Sequence, residues 1–181
     1  MSKMTSLKRL VLCAACVALS VVLPMAFHMI PNAGGIFLPM HIPVLLCGLM
    51  LGWPLGFVCG LVGPLLSSVL TGMPAMAILP GMMVELAVYG LVAGLLMKFV
   101  RTGKLFSDLY ISLTGAMLVG RLVGGAARAL IFMPGKYTVA GWAAASFVTG
   151  LPGIVIQLAL IPAIYYALER ARILPPRYSA R

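Results

Sequence analysis

Apolar residues fill this chain in runs of about twenty, and polar residues are mostly confined to the gaps between them. A helix of that length crosses the ~30 Å hydrocarbon layer of a bilayer at ~1.5 Å rise per residue. Reading hydropathy together with Gly, Pro and charge as breakers places six spans at about 9–30, 40–53, 54–71, 76–97, 109–133 and 143–168. The second and third are short and are separated only by Trp53-Pro54, which reads as a tight turn with its aromatic ring at an interface. The pattern predicts an all-α integral membrane protein, a compact bundle of six transmembrane helices in one domain over residues 1–181.

Composition agrees, with 62% hydrophobic and 9% charged residues, where soluble domains have about 45–50% and about 25%. The first segment has a basic start and an apolar run, but no small-residue cleavage site follows Pro24 and the next span begins at once. It therefore reads as a retained helix rather than a signal peptide. The net charge of +10 would suit nucleic acid, but its distribution argues against that partner. It collects as Lys3, Lys8 and Arg9, as Lys98, Arg101 and Lys104, and as Arg170, Arg172, Arg177 and Arg181. This is the positive-inside pattern, and it predicts that both termini are cytoplasmic, with Lys136 as the one basic loop residue outside. Cys13, Cys16, Cys47 and Cys59 all lie in apolar spans. Cys13 and Cys16 form a CxxC without an acid or His nearby, so packing is expected, with neither a metal nor a cofactor.

Deep inside the spans stand only Glu85, Arg121 and Arg128. A charge at that depth persists where it faces protein, water or a ligand. Arg121 and Arg128 are seven apart and share a helix face, while Tyr89 lies one turn from Glu85. Pro80-Gly81 is expected to break the fourth helix and free backbone groups above a cavity. Ser146, Thr149, Gly153 and Gln157 read as one stripe on the sixth helix. His28 and His41 border the first outside connection, residues 31–39, a flexible stretch carrying Asn32 that is either a lid or a plain connector. Such a distribution suits a pocket reached from outside better than a pore.

Glu85 can bridge to one of the arginines or contact a ligand, and both readings stay open. Two cations against one anion leave an Arg uncompensated either way, which favours a carboxylate or phosphate ligand. Ala14 with Ala18, and Gly120 with Gly124, are small-xxx-small pairs that serve either internal packing or a partner. An enzyme is not expected, because Glu85 is the only acid in a span and neither HExxH nor GxSxG occurs. A stand-alone secondary transporter or channel for a small anionic metabolite is the alternative, although the two halves show no internal similarity.

Six short helices, the Ala14/Ala18 pair, residues 39–52 (PMHIPVLLCGLMLG) and residues 85–91 (ELAVYGL) resemble the substrate-binding S subunit of energy-coupling factor (ECF) vitamin transporters. The resemblance covers essentially the whole chain. It implies a micronutrient held in a pocket near the outer surface of a prokaryotic plasma membrane, built from the first loop and the last three spans. It implies a transmembrane coupling subunit and two cytoplasmic ATPase subunits as partners, with Ala14 and Ala18 on the docking face. ATP would be hydrolysed by those partners, since no G-x-x-x-x-G-K-[ST] occurs here. A looser similarity to the pantothenate branch implies a small carboxylate-bearing vitamin, pantothenate first, with lipoate, another B vitamin or a nucleobase-like precursor still open. In that reading Arg128 and Arg121 hold the carboxylate and Glu85 and Tyr89 receive hydroxyl or amide groups. Gln157 adds a hydrogen bond, and His41, Asn32 and Thr149 complete the set.

Overall fold

The computed structural model describes residues 4–27, 30, 32–135 and 137–178. The expectations placed on Lys3, His28, Pro31, Lys136 and Arg181 lie outside the described residues. The elements are α1 (Ser6–Ala26), α2 (Ala33–Phe37), α3 (His41–Leu51), α4 (Trp53–Thr71), α5 (Leu79–Phe99) and α6 (Leu105–Ala127), followed by α7 (Val139–Ala143) and α8 (Leu151–Arg170). Two π-helical turns extend them: Arg128–Phe132 continues α6, and Ala144–Thr149 follows α7. No strand occurs among the described residues. Among the described residues, six segments are long and apolar enough to cross a membrane, α2 and α3 together forming the one over Ala33–Leu51. The architecture is the six-helix membrane bundle that the hydropathy predicts.

Local chemistry sets the ends. The Thr5 hydroxyl accepts from Lys8 N at 3.3 Å and caps α1. Gly52, with φ 90°, turns α3 directly into α4, and Trp53-Pro54 opens the next helix.

Four expectations need correction. Residues 31–39 were expected to be an irregular loop, yet α2 occupies most of them. Its apolar sequence packs on α8, where Gly153 leaves room for the backbone of Ile36 and Phe37. Leu38, at φ 50°, then separates α2 from α3. Pro80-Gly81 starts α5 rather than breaking it, because a proline in the first turn has no intrahelical N–H to lose. The fifth span begins at Leu105, four residues early, so Asp108 lies within α6 and is fully buried. The expected sixth helix is two elements, since Gly150 and the proline in the first turn of α8 end the π turn and begin a new helix.

The centre of the bundle is α5, flanked by α4 and α6 and packed also on α3. Glycines set these spacings: Gly56 meets Gly90 backbone to backbone, Gly48 meets the Gly90 carbonyl, and Gly60 meets Leu86. A side chain at any of them would overlap the neighbouring main chain, so the close approach depends on its absence. Val44, Leu45, Leu86, Ala93 and Leu113 fill the remaining core.

α1 is peripheral and packs on α3 and α4 through Cys13, Cys16 and Ser20. The thiols of Cys13 and Cys47 are 3.9 Å apart, and all four cysteines are buried free thiols. The opposite side of α1, including Ala14 and Ala18, is exposed. Gly120 and Gly124, by contrast, face inward onto α5.

Gly90→Leu is expected to lower the melting temperature of the detergent-purified protein sharply, at or above the ~1–3 kcal/mol usual for overpacking, because the obstructing atoms are backbone. Gly34→Ala, with nothing within 4 Å of the added carbon, should stay within ~0.5 kcal/mol of the parent. Equal melting of the two variants would contradict the close α4–α5 contact.

Candidate functional site

A cavity of about 590 Å³ opens at one end of the bundle, where α1 ends, α5 begins and the π turn after α6 lies. Its walls are largely apolar, with Phe27, Leu38, Met40, Met73, Ile78 and Met82 among them. One pole is charged: Glu85 from α5, Arg121 and Arg128 from α6 and its extension, and His41 from the start of α3. Among the described residues, Glu85 is the only carboxylate in the lining.

Glu85 is 8% exposed and fully engaged. Its Oε2 lies 2.7 Å from Arg128 Nη1, its Oε1 accepts from the Tyr89 hydroxyl at 3.2 Å, and His41 Nε2 stands 3.9 Å from Oε1. Of the two readings of Glu85, the bridge to Arg128 is therefore formed. Glycines make the space for it. Gly81 lies against the Arg128 side chain, Gly124 against that of Glu85, and Gly120 against the Tyr89 ring. The small pair on α6 thus cradles two polar side chains of α5.

Arg121 is held differently. It is 4% exposed, and no carboxylate lies within ion-pair distance of it among the described residues. Its guanidinium stands 5.5 Å from the Phe147 ring centroid, a cation–π arrangement. Trp142 packs edge-on against Phe147 and donates its indole N–H to the Arg121 carbonyl at 3.1 Å. Gly125 leaves room for that indole. One arginine of the pair is neutralised and the other is positioned with its charge unmet.

Arg121, Arg128, Glu85, His41 and Asn32 line the cavity together. Tyr89, Gln157 and Thr149 do not. Tyr89 is fully buried behind Glu85. Gln157 is fully buried too, and its side-chain amide donates to the Leu38 carbonyl at 3.4 Å, holding the break between α2 and α3. Thr149 sits on the π turn beyond the lining, whereas Ser146 on the same turn reaches the cavity.

Sequence reasoning missed Trp142 and Phe147, whose link to Arg121 spans more than twenty residues, and Tyr137 and Met133 in the wall. It also missed how the wall at 72–75 is held. Ser67 Oγ donates to the Met73 carbonyl at 2.7 Å and Ser68 Oγ to the Pro74 carbonyl at 2.8 Å. The serine pair near a helix end was the available signal.

Fold and site together define a multi-pass membrane protein with a small, cationic, largely apolar cavity at one end of its bundle. The family model for the substrate-specific component of ECF transporters matches residues 8–165, and the chain belongs to that family. It is accordingly a substrate-specific binding subunit of the ECF class. No curated protein and no solved structure matches the chain.

Glu85→Gln is expected to lower the melting temperature of the ligand-free protein more than Tyr89→Phe. The first leaves Arg128 without its counterion, and removing one member of a buried pair costs up to ~3–5 kcal/mol; the 21% exposure of the Arg128 side chain should reduce that figure. The second removes one hydrogen bond, about 1 kcal/mol. Thermal unfolding in detergent measures both, and a larger loss for Tyr89→Phe would contradict the central place of the bridge.

Proposed function

We propose that this subunit captures a small carboxylate-bearing vitamin, pantothenate first, from outside the cell for an ATP-driven importer. The observation that carries the reading is Arg121, a buried and positioned guanidinium without an anion, at the charged pole of an apolar cavity. Arg binds carboxylates bidentately, and the strength of such contacts roughly doubles when the acceptor is ionised. The cavity volume lies within the ~300–1,000 Å³ usual for small-ligand sites.

In this reading the carboxylate pairs with Arg121, and the cavity-facing part of the Glu85–Arg128 bridge meets hydroxyl or amide groups. Asn32 and Ser146 add hydrogen bonds, and the methionine-rich walls adapt to the ligand body. The basic end of the bundle would face the cytoplasm of a prokaryotic plasma membrane, by the positive-inside bias. A coupling subunit and two cytoplasmic ATPase subunits would complete the importer. The exposed Ala14 and Ala18 face of α1 supports docking to the coupling subunit, since small residues allow helices to approach closely.

The test is a thermal-shift screen of the purified subunit against pantothenate, other B vitamins, lipoate and nucleobases. A ligand at 100 times its dissociation constant should stabilise by ~2.7 kcal/mol. Arg121→Gln should not lower the ligand-free melting temperature, because it removes a buried charge without a counterion, and should weaken binding of the carboxylate ligand about 10–150-fold, as expected for a lost charged hydrogen bond of ~1.5–3 kcal/mol. Leu at Ala14 and Ala18 should abolish uptake by the assembled transporter while sparing binding. Selective stabilisation by neutral compounds alone would refute the carboxylate assignment.

A further inference from the structure

A second cavity, of about 400 Å³, lies at the opposite end of the bundle, where α3 turns into α4, α5 ends and the segment after α8 folds back. Arg9, Lys98, Arg101 and Arg177 line it, and no carboxylate does among the described residues. Two of these cations have structural work. Arg177 pairs with the buried Asp108 and donates to the Val100 carbonyl at 2.6 Å. Arg9 donates to the Leu51 carbonyl at 2.7 Å. These two contacts also cover carbonyls at the C-terminal ends of α3 and α5, which would otherwise repel an anion. Lys98 and Arg101 are exposed, and neither side chain donates a hydrogen bond among the described residues, Lys98 Nζ standing 5.3 Å from the Phe99 ring centroid. The cavity therefore holds cationic capacity beyond what the fold consumes.

Its depth has an independent marker. Exposed aromatic side chains surround this end: Trp53 opens α4, Phe99 closes α5, Phe106 and Tyr110 lie in the first turns of α6, and Tyr166 lies in the last turns of α8. Such rings collect at the level of lipid headgroups. Basic pockets between helices at that level suit acidic headgroups, and arginine matches the geometry of phosphate oxygens.

We propose that the second cavity is a binding site for a phosphate-bearing anion, with Lys98 and Arg101 as its free cationic ligands and Arg9 as the fixed one. The site is separate from the substrate cavity and does not rest on the vitamin assignment. Its chemistry is shared by the headgroup of an acidic phospholipid and by a free phosphate.

The test follows melting of the full chain in detergent with added phosphatidylglycerol, with phosphatidylcholine, and with sodium phosphate against sodium chloride at equal ionic strength. The parent and the double variant Lys98→Gln/Arg101→Gln are compared. Phosphatidylglycerol should stabilise the parent and phosphatidylcholine should not. The double variant should need about 25-fold more phosphatidylglycerol for the same stabilisation, about fivefold per charge removed. Stabilisation by the acidic lipid without an effect of sodium phosphate assigns the lipid as the source, and an equal effect of sodium phosphate assigns the free anion. Equal responses to both lipids without a phosphate effect, or an undiminished response of the double variant, overturn the site. Both substitutions are at exposed positions, and the melting temperature of the variant without additives reports whether it is folded.

Discussion

A carboxylate inside an apolar bundle must be surrounded by donors, and the cavity end of this protein is arranged around that requirement at Glu85. Arg128, Tyr89 and His41 reach it from three elements: the extension of α6, α5 itself and the start of α3. Those approaches are possible only because Gly81, Gly120 and Gly124 carry no side chains where Arg128, Tyr89 and Glu85 pass. The π turn begins at Arg128, the residue that must swing onto the carboxylate. Widened turns of this kind recur where a helix has to re-aim a functional group. The bridge is thus a constraint on backbone shape as much as an ion pair.

The two ends of the bundle treat charge in the same way. At each end one acid neutralises one arginine: Glu85 with Arg128 at the cavity and Asp108 with Arg177 at the basic end. Asp108 also accepts from the Thr102 backbone and hydroxyl and from Tyr178, which ties the folded-back segment to the connection between α5 and α6. Glu169, also at the basic end, accepts from the Arg177 backbone N–H at 3.0 Å, and the unpaired charges that line the two cavities are cationic, Arg121 at one and Lys98 with Arg101 at the other. Glu85 and Asp108 are thus used for architecture, and on the proposed reading recognition would be left to cations.

The spans and the charged pole were legible in the sequence because both depend on local pattern. Twenty-residue apolar runs mark helices wherever they occur, and Glu85, Arg121 and Arg128 stand out against them. What escaped depends on distant partners. α2 is stabilised by Gly153 and Gln157, more than a hundred residues away, and its own sequence reads as loop. Asp108 is buried by Arg177 and Tyr178 rather than by its neighbours. Gln157 and Thr149 share one stripe with Ser146 only on a continuous helix. Gly150 and the following proline break that continuity, so only Ser146 reaches the cavity. The pair Gly120 and Gly124 was recognisable as close packing, but that it packs on Tyr89 and Glu85 was not.

The difference between the two cavity arginines decides how the site can discriminate. Arg128 is already compensated, so an incoming anion would have to compete with Glu85 for it. Arg121 gains only the face of Phe147, an interaction of ~0.5–2 kcal/mol. That is small against the cost of burying a charge, several kcal/mol even after relaxation. A neutral ligand returns at most an ordinary hydrogen bond to Arg121, whereas a carboxylate would supply the missing counterion. On the proposed reading, selectivity for anions would come from the counterion that a carboxylate supplies to Arg121 and a neutral ligand does not. The ring of Phe147 and the Trp142 contact add orientation, which lowers the entropy lost on binding. An anion with an apolar body satisfies both poles of the cavity at once, the guanidinium at one side and the methionine and phenylalanine walls at the other.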